Sequence, residues 1–165
     1  MAPVMSQTAQ YRFRVTHCDD VEVTSEGDLI ALQLQSVAGR PHSLLRSSAE
    51  SIARDNSGLS LSVRRTRRFP TPHFVIAKAS ELRATVRCTH PLRLRYQITL
   101  VRGATWEFHM PLFRARFSGS SNHGGSLEVR MLRENLWDLL VAVDHNSSEL
   151  LAAVACVQRA RWQST

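Results

Sequence analysis

Near its C-terminus the chain reads SSELLAAVACVQRARW (residues 147–162), and from Leu150 to Val157 every side chain is apolar. A helix through this run keeps no polar face, so it belongs inside a protein or inside lipid. Asn146 is a suitable N-cap and Glu149, three residues on, can complete a capping-box arrangement. A rod over 147–160 is about 20 Å long, too short to cross a bilayer. Ala152, Ala153 and Ala155 allow close approach of backbone from several sides and disfavour a strand. Something in the preceding sequence therefore has to enclose the helix, with Gln158, Arg159, Arg161 and Trp162 marking where it emerges.

That preceding sequence keeps a period of two. Tyr11, Phe13 and Val15 alternate with arginines and Thr16; Ile30, Leu32 and Leu34 alternate with Ala31, Gln33 and Gln35. The alternation recurs at Leu59–Val63, Leu82–Cys88, Leu92–Leu100, Phe113–Phe117, Leu127–Met131 and Trp137–Val143, the pattern of antiparallel strands covering a core on one face. Turn residues separate the runs at Glu26-Gly27-Asp28, Asn56-Ser57-Gly58 and Arg102-Gly103, and SGSSNHGG (118–125) reads as a long hairpin loop. One stretch departs from this: Leu44, Leu45, Ser48, Ala49, Ile52 and Ala53 fall at helical spacing, which predicts a short amphipathic surface helix within 42–58. The expected fold class is all-β: a closed antiparallel barrel of roughly 10–12 strands around a buried hydrophobic C-terminal helix, plus that one short surface helix. Residues 1–9 are expected to form a disordered tail and 10–165 a single domain. No signal peptide and no transmembrane segment is read. Cys18, Cys88 and Cys156 are too far apart in sequence to suggest a disulfide framework, so reduced thiols and a cytoplasmic, peripheral-membrane or nuclear setting are expected.

A strand-rich chain that ends in a Trp-led strand, an acidic turn and a hydrophobic helix resembles the tubby C-terminal-like superfamily, which includes tubby proteins, phospholipid scramblases and LURP-one-related proteins. The residues carrying the resemblance are Trp106 to Phe113 (WEFHMPLF), Phe117-Ser-Gly119, and Trp137 to Asp144 (WDLLVAVD) leading into Ser148 to Cys156. It covers about residues 59–162 well and 11–58 weakly. The resemblance implies a twelve-stranded barrel wrapped on the C-terminal helix and, by analogy with the tubby branch, a basic surface that takes phosphoinositide headgroups. No headgroup residue of that branch maps onto a position here, and Lys78 is the only lysine in a chain of net charge +7.

The charge is carried almost wholly by arginine, and its densest point is Arg64-Arg65-Thr66-Arg67-Arg68, followed by Phe69-Pro70. Guanidinium groups this close repel one another unless an anion or acidic partner is near, and their forked geometry suits phosphate. A solvated strand end and a nuclear-import address are competing readings. Arg93 and Arg95 share an outward face, as do Arg114 and Arg116, and can extend the basic surface if their strands lie nearby. The seven histidines lack metal-ligand spacing and no CxxC occurs, so no metal or cofactor is expected. His17 and Cys18, as strand neighbours, point to opposite faces and cannot form a nucleophile–base pair. The expectation is a non-enzymatic binding module. Its candidate anion-binding residues are Arg64, Arg65, Arg67, Arg68, Arg93 and Arg95, and its candidate partner is an anionic membrane lipid. The alternatives are a protein-interaction scaffold without a small ligand, or a nucleic-acid-binding protein.

Overall fold

The computed structural model describes residues 8–16, 20–25, 27, 29–36, 50–67, 71–90, 95–109, 116–133, 136–142 and 148–163. They form twelve strands and one helix: β1 (Thr8–Val15), β2 (Val21–Ser25), β3 (Ile30–Ser36), β4 (Glu50–Asp55), β5 (Ser60–Arg67), β6 (His73–Lys78), β7 (Glu81–Cys88), β8 (Arg95–Leu100), β9 (Thr105–His109), β10 (Arg116–Ser121), β11 (Ser126–Arg133), β12 (Leu136–Ala142) and α1 (Ser148–Gln163). Each strand pairs antiparallel with the next in sequence. β1 also pairs with β12, Phe13 standing opposite Trp137, so each strand has two neighbours and the ladder returns on itself.

Alternation decides what faces inward. Phe13, Val23, Leu32, Leu34, Leu61, Ile76, Val86, Ile98 and Trp106 are buried, while the residues between them are polar or partly exposed. Helix α1 runs through this interior and packs against β2, β3, β6, β7 and β8. Every residue from Leu150 to Val157 is buried, with Ala152, Ala153, Ala155 and Cys156 wholly so. At about 25 cal/mol per Å² of apolar surface removed from water, this common core is the main stabilising term.

The expected fold class needs correction at its surface helix. Glu50–Asp55, within the predicted 42–58 helix, is strand β4, paired with β3 on one side and with β5 on the other. Ser51 and Ala53 face the core while Glu50 and Arg54 are exposed. Ile52 and Ala53 suit a helical stripe as well as a strand, and pairing with two neighbouring strands decides between them. Residues 37–49, the rest of that prediction, lie outside the described residues. Three boundaries also move. Thr8 and Ala9 belong to β1 rather than to a tail, and 118–121 of the expected SGSSNHGG loop are strand β10. Gln158 and Arg159, expected where the helix emerges, are 0% and 7% exposed. Asn146 lies outside the described residues.

The helix start is tied to the β4–β5 turn. Asp55 Oδ1 accepts hydrogen bonds from Ser57 N (2.9 Å), Ser57 Oγ (2.7 Å) and Leu59 N (2.9 Å), while its Oδ2 accepts from Ser148 Oγ at 2.9 Å. Gly58, at φ +90°, closes the turn in a backbone region that favours glycine. Burial alone would raise the Asp55 pKa, but the hydrogen bonds from Ser57, Ser148 and Leu59 outweigh it and hold the carboxyl below its ordinary 3.8. The ionised form is thus favoured in the folded state. Its contribution is complete above the unfolded value and is lost as pH falls through the lowered folded value. The parent is expected to lose thermal stability on acidification below about pH 4. Asp55→Ala should be less stable at pH 7 by about 1–2 kcal/mol and show a flatter acid limb, as read by urea unfolding across pH.

Gly119 is required for a different reason. It pairs with Phe108, whose ring stacks on Trp106 at 6.5 Å, and an added Cβ would lie 2.5 Å from Phe108 Cδ1 and 2.8 Å from the Glu107 carbonyl. The ring fills the space a side chain would need. Gly119→Ala is expected to cost about 1–3 kcal/mol and Gly119→Val more, measured as a lowered urea midpoint with an unchanged slope.

Candidate functional site: a basic row on the outer sheet

The barrel interior is occupied by the helix, so the outer face is where chemistry has to be sought. In a regular strand Arg64 and Arg67, three apart, would point to opposite faces. The β5–β6 register shifts between Arg65 and Arg67, with Arg64 opposite Val75, Arg65 opposite Phe74 and Arg67 opposite His73. This bulge turns both Arg64 and Arg67 outward and exposed, while Arg65 is half-buried beside the inward-facing Phe74.

The row continues across the next strand. His73 pairs with Arg87 of β7, so Arg67, His73 and Arg87 stand side by side on three adjacent strands. With strands about 4.8 Å apart, the two arginine backbones are about 10 Å apart with the imidazole between them. Arg87 pairs in turn with Gln97, and Gln97 with Glu107. Arg95, two residues before Gln97, is the diagonal neighbour of Arg87; its Nε donates to His109 Nε2 at 3.2 Å. That bond needs the unprotonated nitrogen of His109. Arg116 and Arg130 lie further round the wall, directly opposite each other, and Arg116 pairs with Glu128 at 3.8 Å. Glu50, opposite Arg64 on β4, and Glu107 on β9 flank the row.

Of the sequence-derived candidates, the structure thus places Arg64 and Arg67 together on the outside, Arg65 at the edge of the core and Arg95 one diagonal step beyond Arg87. Arg68 and Arg93 lie outside the described residues. His73 and Arg87 were not among the candidates. A sequence signal for His73 was present: Pro70 and Pro72 break the chain between the arginine run and the residues that begin at His73. Arg87 gave none beyond being a polar residue in an alternating strand.

Charge density marks His73. Burial and the nearby Arg67 and Arg87 guanidiniums lower its pKa, against a smaller opposing effect from the hydrogen bond its ring donates to the Cys88 backbone carbonyl. The folded protein therefore favours neutral His73, and stability is lost as pH falls below the ordinary 6.5 through the lowered value. In Arg87→Gln the imidazole is expected to titrate at higher pH than in the parent, followed by NMR of its ring protons. An unchanged midpoint would mean that Arg87 does not act on it.

Glu81 bridges Arg83 (3.4 Å) and Arg102 (3.5 Å). Among the described residues no group of three or more His, Cys, Asp and Glu is arranged to hold a metal ion, and no helix is long and apolar enough to cross a membrane.

No protein-family model matches the chain, and no curated protein sequence does. Among solved structures, the fold is similar to the X-ray structure of a protein from Arabidopsis thaliana. The TM-score is 0.65 at 9% sequence identity, over 94% of this chain and 93% of the other. At that identity the likeness is one of fold alone.

Proposed function

We propose that the protein is a non-enzymatic binding module of the tubby-like kind that docks on anionic phosphates, such as phosphoinositide headgroups, through the outer face of β5–β8. The observation that carries this reading is the cross-strand row Arg67–His73–Arg87, with Arg64 beside it and Arg95 one step beyond. The row sets two guanidiniums about 10 Å apart on either side of an imidazole, a local concentration of positive potential that favours an anionic ligand. Guanidinium forks on a rigid wall suit phosphate oxygens. Kinship with the tubby-like superfamily is part of the same proposal; what supports it is an antiparallel ladder enclosing an apolar C-terminal helix.

Single-stranded nucleic acid is less well served, because base stacking needs aromatic rings among the cations. Among the described residues Phe13, Phe74, Tyr96, Trp106 and Phe108 are buried and Tyr11 is half-buried. Each basic residue near an anionic membrane surface contributes about 1 kcal/mol, screened by salt. In liposome co-sedimentation, binding to vesicles containing phosphatidylserine or phosphoinositide is expected, falling steeply as salt rises. Changing Arg64, Arg67 and Arg87 together to glutamine should abolish most of it. Equal pelleting with neutral vesicles, or full binding by the triple variant, refutes the proposal.

A further inference from the structure

The end of the helix holds a charge with no ion-pair partner among the described residues. Ser148 is fixed at the β4–β5 turn by Asp55, and β5 runs from that turn at Ser60 to Arg67 at the other end of the wall. Arg159, eleven residues beyond Ser148, is about 16 Å along the helix axis toward that other end. It is 7% exposed, and its Nη1 has no hydrogen-bond partner. Gln158, in the same turn, is 0% exposed, and both its Oε1 and its Nε2 lack partners. None of the ion pairs among the described residues involves Arg159.

Each of these is costly. A buried guanidinium without a counter-charge loses its hydration for nothing in return, and each orphaned amide atom costs about 1–3 kcal/mol. Cys156, three residues before Arg159 on the same helix face, cannot supply the negative charge. Burial pushes its thiol up to about 11, with Arg159 only partly opposing, so it stays protonated at neutral pH.

We propose that the end of the barrel around Gln158 and Arg159 binds a hydrogen phosphate ion, distinct from anything held on the outer arginine row. A ligand reached by all three orphaned atoms has to meet two demands at once. Arg159 Nη1 and Gln158 Nε2 donate, which calls for an oxyanion; Gln158 Oε1 accepts, which calls for a proton on the same ligand. Hydrogen phosphate carries both near neutral pH, whereas sulfate brings the charge without the proton and a water brings no charge.

The test is thermal unfolding of the full chain in sodium phosphate, sodium sulfate and sodium chloride at matched ionic strength and pH 7. A ligand that binds only the folded state raises Tm with its concentration. The expected order is phosphate above sulfate above chloride, with phosphate raising Tm by several degrees at saturation. Arg159→Gln should erase that rise. Because this variant can fail to fold, Gln158→Glu is the second: it places a carboxylate beside Arg159, so Tm in chloride should increase and the phosphate response should vanish. The variant with Arg64, Arg67 and Arg87 changed to glutamine should keep the full response, separating this site from the surface row. Three results overturn the proposal: equal Tm in phosphate and chloride, a phosphate response that survives in Gln158→Glu, or one that disappears in the surface variant. A crystal structure grown in phosphate with only water against Arg159 would overturn it as well.

Discussion

Everything in this molecule is arranged around one apolar helix that cannot be exposed. Leu150–Val157 offers no polar side, so water must be excluded from its whole circumference, which two packed layers cannot do but a surrounding wall can. The wall in turn needs the helix. Its inward side chains from β2, β3, β6, β7 and β8 meet a common axis of mostly small residues, Ala152, Ala153 and Ala155 among them. The bond between Ser148 and Asp55 joins positions 93 residues apart. The β1–β12 pairing likewise joins the two ends of the sheet. Such contacts carry a large loop-closure entropy, so the wall and helix have to gain their stability together rather than in sequence.

With the interior filled, irregularities in the sheet set what the outer face displays. The bulge at Arg65–Arg67 matters most. Without it, an outward Arg64 would send Arg67 into the core or leave it half-buried like Arg65. With it, two arginines three apart share the outer face and Arg67 comes level with His73 and Arg87. Bulges are common where a side chain must be re-aimed, and this one re-aims the densest charge in the sequence.

The strands were legible because a half-buried strand writes its two faces into alternate residues: Tyr96–Leu100 and Leu127–Met131 could be read directly, as could the buried helix from its unbroken apolarity. Where the sequence misled, two periods fitted the same residues. Ile52 and Ala53 satisfied a helical stripe, yet neighbours on both sides made them strand. The β6–β7 turn was silent for another reason. Ala79 and Ser80 both have positive φ, 47° and 71°, in a tight turn usually marked by Asn or Gly. Here the pairing of Lys78 with Glu81 holds the chain in a conformation its own residues disfavour. Of the site, the arginine run was visible and its geometry was not, because a one-residue register shift leaves no trace in composition. The buried position of Gln158 and Arg159 was hidden by their polarity, which reads as an exit to solvent.

The basic row and the state of His73 are two expressions of one field. Setting Arg67 and Arg87 on either side of an imidazole makes a second positive charge costly there, and the folded protein responds by favouring the neutral ring. An anion seated on the row would cancel part of that field and return affinity for a proton to His73. By linkage, proton and anion must then assist each other equally: whatever free energy the anion adds to protonation, protonation adds to anion binding. On the proposed reading, the surface would bind an anion most weakly when His73 is neutral and more strongly as pH falls. Acidification would cost less stability with the row occupied, because an anion offsets the share of the opposition that comes from Arg67 and Arg87 while burial of the ring still resists the proton.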